Sequence, residues 1–385
     1  MESDGILHLD VCVDEHTPRP GITKLLTNLR PQWKPEDIQI KAFTEGITNQ
    51  LMGCYVGSMT EDPVVLVRVY GQKTELFLDR DKEMEMFKVL HRHGCGPQLY
   101  CNFTNGICYE FVRGVVMDDT LLKQPSVYRL IATEMGKIHS IKSGEVGNTS
   151  PQTPVLWSRL SQFLNLVESS DSHVQQRSIA HLEAPNITII IKEMEELKCH
   201  LQHIESPVVL CHNDLLTKNI IYNIQEGTVK FIDYEYADFN YQAYDIGNHF
   251  NEFAGVKNVD YSLYPSLELQ FDWLTAYLES FKWCNGGDSS VTKKEVQELY
   301  VRVCKFSLAG HFFWCLWALL QAKHSTIDFD FQRDHHKNKQ LREGFTSISN
   351  PRCSGATTTT STTNNWGMPW LDSTSTLRRS RISLK

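Results

Sequence analysis

Residues Val208 to Asp233 read Val-Val-Leu-Cys-His-Asn-Asp-Leu-Leu-Thr-Lys-Asn-Ile-Ile-Tyr-Asn-Ile-Gln-Glu-Gly-Thr-Val-Lys-Phe-Ile-Asp. An apolar run leads into His212, Asn213 and Asp214, and Asn219 follows five residues after that aspartate. A short turn then leads through a second apolar run, Val229 to Ile232, into Asp233. Any one of these pieces arises by chance in a long chain; the ordered set is a strong signal. The spacing predicts a catalytic loop followed by a metal-binding strand end, the arrangement that phosphoryl transfer from a nucleotide requires. That reaction needs one group to orient and deprotonate an attacking hydroxyl, and oxygen ligands to hold magnesium on the β- and γ-phosphates. Asp214 suits the first task. Asn219 and Asp233 suit the second, because a carboxamide and a carboxylate at the ends of adjacent short strands can face the same phosphates.

Upstream, the pattern supplies a nucleotide side. Ile38 to Thr44 and Leu51 to Val56 alternate as two strands joined by Glu45-Gly46-Ile47-Thr48-Asn49-Gln50. Such a turn can lay backbone N–H groups and the Thr48 and Asn49 side chains over phosphates, although most turns of this composition are only turns. Val64 to Tyr70 is an apolar strand carrying one cation, Arg68. A permanently charged guanidinium there can pair with α- and β-phosphates and with a carboxylate from the next helix, or reach solvent if the strand lies at an edge. That helix is expected at about Leu76 to His93, with Glu83 and Glu85 as candidate partners and Glu83 preferred for its place beside the apolar stripe. Two further strands, Gln98 to Phe103 and Ile107 to Val112, end at an expected hinge. There, backbone groups of Glu110 and Val112 would meet an adenine edge.

The rest of the chain reads mostly as helices, at about 126–141, 156–168, 187–205, 266–285 and 292–323. Loops rich in small or polar residues are expected at 142–155 and 169–185. Asp245 is either a helix N-cap or a buried carboxylate tying down the backbone of the catalytic loop. Glu252, one to two turns later, is placed to project toward a substrate. Trp314 and Trp317 share a helix face. They are either core or a wall for a cationic substrate.

With 385 residues, 41% hydrophobic and 22% charged, the chain is long enough for one large or two modest domains with ample core. A net charge of −8 argues against a general nucleic-acid or anionic-membrane binder. Eleven cysteines without paired spacing fit reduced cytosolic thiols better than a disulfide framework or zinc site. The beginning of the chain has no basic segment before an apolar run, so no cleavable signal is expected. The most apolar run, His311 to Leu320, is too short to span a bilayer and reads as a core helix, so no stable membrane insertion is expected. From Gln332 onward nine basic residues face three acids around a Thr/Ser run, a composition that predicts disorder. The expected organisation is a 1–36 extension, a 37–113 nucleotide-binding lobe, a 114–331 catalytic lobe and a 332–385 divergent tail.

The chain resembles the choline/ethanolamine kinases, relatives of aminoglycoside phosphotransferases, over roughly residues 37–331. His212-Asn213-Asp214 with Asn219, Phe231 to Tyr236, Tyr244 to Phe250 and His311 to Trp314 all look like motifs of that family. Asn251 to Val256 and Gly96 to Tyr100 look most like its ethanolamine-specific members. The resemblance implies an α+β, two-lobed protein-kinase-like fold, with a small β-rich N-lobe and a larger, mainly helical C-lobe. It implies ATP and Mg2+ as cosubstrate and cofactor, and ethanolamine as acceptor. The product would be phosphoethanolamine, feeding phosphatidylethanolamine synthesis, and a homodimer is compatible with it. Carried over residue by residue, Asp214 is the base and Asn219 and Asp233 hold magnesium. Arg68 with Glu83 replaces the strand lysine pair of protein kinases, and Glu252, Trp314 and Trp317 line the amino-alcohol pocket. The family continues past a segment like Ile327 to Phe331 into a further helix, where this chain turns to a polar tail. The alternatives are choline kinase, another small-molecule kinase of the same fold, or a catalytically impaired regulatory variant. Arg68 and the missing Ala-Pro-Glu segment after Asp233 disfavour a protein kinase.

Overall fold

The computed structural model describes residues 6–43, 49–71, 74, 78–146, 152–169, 187–255 and 260–324. Thr48 and most of its turn, most of the 169–185 loop, Ile327 to Phe331 and the tail from Gln332 lie outside the described residues.

The first lobe is a six-stranded sheet of β1 (Leu7–Leu9), β2 (Gln39–Phe43), β3 (Gln50–Tyr55), β4 (Val64–Val69), β5 (Leu99–Phe103) and β6 (Gly106–Glu110). The strand order is β1-β5-β6-β4-β3-β2. β1 pairs parallel with β5 and the other neighbours are antiparallel. The first strand and helix α1 (Pro18–Leu29) therefore join this lobe. The helix opens on Pro18 and Pro20, which suit the first turn of a helix.

β4 lies inside the sheet, so Arg68 cannot be an edge cation reaching solvent. Strand side chains alternate between faces. Val65, Val67 and Val69 pack with Ile22, Leu25 and Leu26 of α1, whereas Leu66 joins the core around α2 (Arg80–Arg92). Arg68 shares the face of Leu66 and so meets α2. That helix starts later than the apolar stripe implies, because the Asp79 side chain accepts the Lys82 N–H and caps it.

After β7 (Val115–Val116) the second lobe is built from α3 (Pro125–His139), α4 (Leu156–Ser169), α5 (Ile187–Leu201), α6 (Gln242–Glu252), α7 (Leu267–Cys284) and α8 (Lys293–His324). Four short strands, β8 (Val208–Cys211), β9 (Ile220–Asn223), β10 (Thr228–Phe231) and β11 (Asp238–Tyr241), carry the quoted stretch and its continuation. β9 and β10 are antiparallel, with Ile220 opposite Phe231, and β8 pairs with β11. α8 is long and apolar enough to cross a membrane, but its residues are mostly buried within the protein, against α4, α6 and α7. Its contact with α6 is unusually close. A Cβ on Gly247 would stand 2.8 Å from the Val303 carbonyl oxygen, and one on Gly310 would stand 2.9 Å from Asn248 Oδ1.

Candidate active site

The loop between β8 and β9 is shaped by one buried carboxylate. Asp245 Oδ2 accepts the His212 N–H at 2.9 Å and Oδ1 accepts the Asn213 N–H at 2.7 Å. Its N-cap alternative fails, since Tyr241 occupies that position and Asp245 lies inside α6. His139 adds a third contact, Nε2 to Asp245 Oδ2 at 3.0 Å. These contacts hold the carboxyl below its ordinary range despite burial, which alone would raise it.

Asn213 sits in the left-handed region at φ 66°, which asparagine tolerates better than most residues. Its side chain donates to the Tyr236 carbonyl at 2.9 Å and accepts from Asn240 Nδ2 at 2.8 Å. His212 donates from Nε2 to the Ile232 carbonyl at 3.0 Å and accepts the Asp214 N–H on Nδ1 at 3.3 Å, the bonding of a neutral imidazole. Burial lowers its pKa, in keeping with that form. His212 therefore braces the loop, and Asp214 is left as the half-buried carboxylate at its tip.

Burial first, then the carboxylates of Glu252, Asp233, Glu235 and Asp245, push the Asp214 carboxyl well above the ordinary carboxylate range. A crowd of like charges is an environment for cations and for proton acceptance. Asn219 Nδ2 donates to the Asp214 carbonyl at 2.9 Å, which turns the amide oxygen away from that carbonyl. The Ile232 N–H bonds the Asn219 carbonyl at 3.0 Å, so Asn219 and Asp233 flank one strand pair, as their spacing predicts. Asp233 is also left-handed, at φ 66°. Its carboxyl rises to about 6 through burial and the neighbouring Glu235, opposed by Arg68 and Arg80.

In the first lobe Arg68 is buried and donates to Glu83 through Nη2 and to Asp233 Oδ1 through Nη1 at 2.8 Å. Glu85 is exposed and takes no part. A second guanidinium, Arg80, completes the network. It donates to Glu83 Oε2 at 3.0 Å, Glu235 Oε2 at 3.3 Å, Thr74 Oγ1 at 2.7 Å and Asn49 Oδ1 at 3.3 Å, and lies 4.0 Å from the centre of the Tyr70 ring. Asn49 also donates to Glu235 Oε2 at 2.9 Å and accepts the Gly71 N–H at 3.3 Å. Asn49 thus ties the start of β3 to the strand end around Asp233. At the hinge, the Glu110 N–H is engaged by the Gln98 carbonyl at 2.9 Å, and Val112 follows half-buried.

Sequence reasoning did not single out Arg80 or Glu235. Oxygens of Glu83, Asp233 and Glu235 lie within 4.8 Å of one another, a donor set fit for a hard divalent cation. The one sequence signal for Glu235 was its place two residues after Asp233.

Glu252 ends α6, half-buried, and its charge helps raise the Asp214 carboxyl. Trp314 is half-buried and Trp317 is buried, with ring centres 5.5 Å apart and planes at 76°. The face they share is therefore core at Trp317 and half-exposed at Trp314.

His249, fully buried behind the loop, donates from Nδ1 to the Leu215 carbonyl at 2.9 Å. Burial drops its pKa from 6.5 to about 4. The unfolded chain therefore binds more protons between those values, so stability is complete above pH 6.5 and falls as the pH drops toward 4. The loss from this residue is on the order of 3 kcal/mol at most. Urea unfolding across that range should show less acid sensitivity in His249→Gln, and an unchanged slope would refute the assignment.

The choline/ethanolamine kinase family model matches residues 40–341. Human ethanolamine kinase 1 is 52% identical over 322 residues, covering 83% of this chain and 70% of its own. A solved Plasmodium vivax ethanolamine kinase superposes with a TM-score of 0.72 at 26% identity, covering 86% of this chain and 89% of that one. A Cryptosporidium parvum choline kinase gives a TM-score of 0.70 at 22% identity, with 85% and 94% coverage, and speaks to the fold alone.

Proposed function

The chain belongs to the choline/ethanolamine kinase family, and on that premise we propose that it transfers the γ-phosphoryl group of ATP to the hydroxyl of ethanolamine, with magnesium as cofactor. The observation that supports the acceptor's chemistry is the link from the half-buried Trp314 through Asn248 to Asn213, the residue before Asp214, whose carboxyl also feels the charge of Glu252. A primary ammonium brings three N–H donors and calls for a carboxylate. A trimethylammonium brings none and leans on aromatic faces instead.

In this reading Asp214 orients the acceptor hydroxyl and takes its proton, a role its raised carboxyl pKa suits. Glu252 holds the ammonium end, so the hydroxyl is presented to Asp214 in one orientation. Arg68, kept in place by Glu83, draws the nucleotide phosphates against the sheet, and the Glu110 to Val112 hinge receives the base. Asn219 and Asp233 would hold magnesium, with Glu235 within reach of Asp233. Magnesium, when bound, neutralises charge on the β- and γ-phosphate oxygens. The described cysteines are all free thiols, which supports a reducing, cytoplasmic setting.

Turnover assays on ethanolamine and choline side by side test the proposal. Magnesium-dependent ADP formation should rise with ethanolamine and less with choline. A folded sample that shifts its melting temperature with magnesium-ATP, yet turns over neither amino alcohol, would sink it.

A further inference from the structure

Both tryptophan N–H groups of α8 lead into the catalytic loop, and both routes end at the same residue. Trp314 Nε1 donates to Asn248 Oδ1 at 2.8 Å, and Asn248 Nδ2 donates to the Asn213 carbonyl at 3.2 Å. Trp317 Nε1 donates to the Tyr236 hydroxyl at 2.7 Å, and the Tyr236 carbonyl accepts from the Asn213 side chain at 2.9 Å. Asn213 immediately precedes Asp214. We infer that Asn248 and Tyr236 are positioning residues that lock Asp214 to the aromatic wall of the acceptor pocket, so that wall and base are set as one unit. The inference rests on the reading of Asp214 as base and of the two tryptophans as pocket wall.

The peptide plane between Asn213 and Asp214 carries the coupling. Its carbonyl is held by Asn248 and its N–H by His212 Nδ1 at 3.3 Å, so the plane is fixed at both ends. Turning that plane would swing the Asp214 side chain. The left-handed backbone at Asn213 is a narrow well that persists only where its surroundings enforce it. α8 is pared down at the contact: a Cβ on Gly310 would stand 2.9 Å from Asn248 Oδ1, the oxygen that receives the Trp314 N–H. A tryptophan serving only as an apolar face would need neither the buried amide nor the glycine opposite it.

Trp314→Phe keeps a ring and removes the N–H; Asn248→Ala removes both the acceptor for that N–H and the donor to the Asn213 carbonyl without burying a charge. Each should lower kcat about tenfold, the worth of roughly one hydrogen bond, and Asn248→Ala, which leaves the pocket side chains in place, should keep KM for ethanolamine within about twofold. The double variant should be no worse than the weaker single, because both cut one path. Losses confined to KM, or fold-losses that multiply, would overturn the coupling. Amide exchange over residues 212–215 needs no acceptor and so separates this inference from the substrate assignment. Exchange at residues 212–215 that speeds up more than at the amides of β3 and β4 supports the coupling even if ethanolamine fails as substrate; exchange that speeds up no more than at those amides overturns it.

Discussion

Asp214→Ala is expected to lose turnover by about 10³-fold or more, at the strong end of what a positioned base contributes. Nucleotide binding should survive, because Arg68, Glu83 and Arg80 form their own network without Asp214. The variant should also be somewhat more stable than the parent in the absence of ligands. Asp214 stands among Glu252, Asp233, Glu235 and Asp245, and each raises its carboxyl. Removing one member of a like-charged group relieves repulsion that the folded state otherwise bears. Steady-state kinetics and melting curves with and without magnesium-ATP check both halves. Turnover within tenfold of the parent would mean that another group is the base.

Asp245→Asn is expected to cost the fold about 3 kcal/mol or more, although the side chain barely changes size. The carboxylate accepts two backbone N–H groups and faces His139, all of them buried. An amide offers one oxygen, so its NH2 must face an N–H or the imidazole donor. One loop N–H is then left without an acceptor, and the left-handed turn at Asn213 loses one of its restraints. Urea unfolding measures the loss. A change under about 1 kcal/mol would show that the loop does not depend on this carboxylate. Activity should fall with it, since the base is carried by the same turn.

Several relations were legible because they depend on local periodicity. Asp214 and Asn219 are five residues apart on one loop, and Asn219 and Asp233 close one hairpin, so spacing alone brings them together. Arg68 and Glu83 follow from strand alternation and helix stripe, and the exposed Glu85 shows that the stripe decided between them. Boundaries were less legible where caps rather than apolar residues set them, as with Asp79 before α2.

The sequence by itself determined that Asp214, Asn219 and Asp233 fall together, because they stand at short, fixed separations, and its resemblance to a family carried the two-lobed kinase class. Only the tertiary structure decided that Asp245 is a loop anchor rather than a cap and that Arg80 joins Asn49 to Glu235. It alone tied the Trp314 and Trp317 N–H groups to Asn213. Those contacts join residues 23 to 186 positions apart. Their partners are chosen by how closely α6 meets α8 and α2 meets the strand ends. A hydrogen bond needs its donor and acceptor within about 3 Å, and spacing along a chain does not set such a distance between elements that meet only on folding.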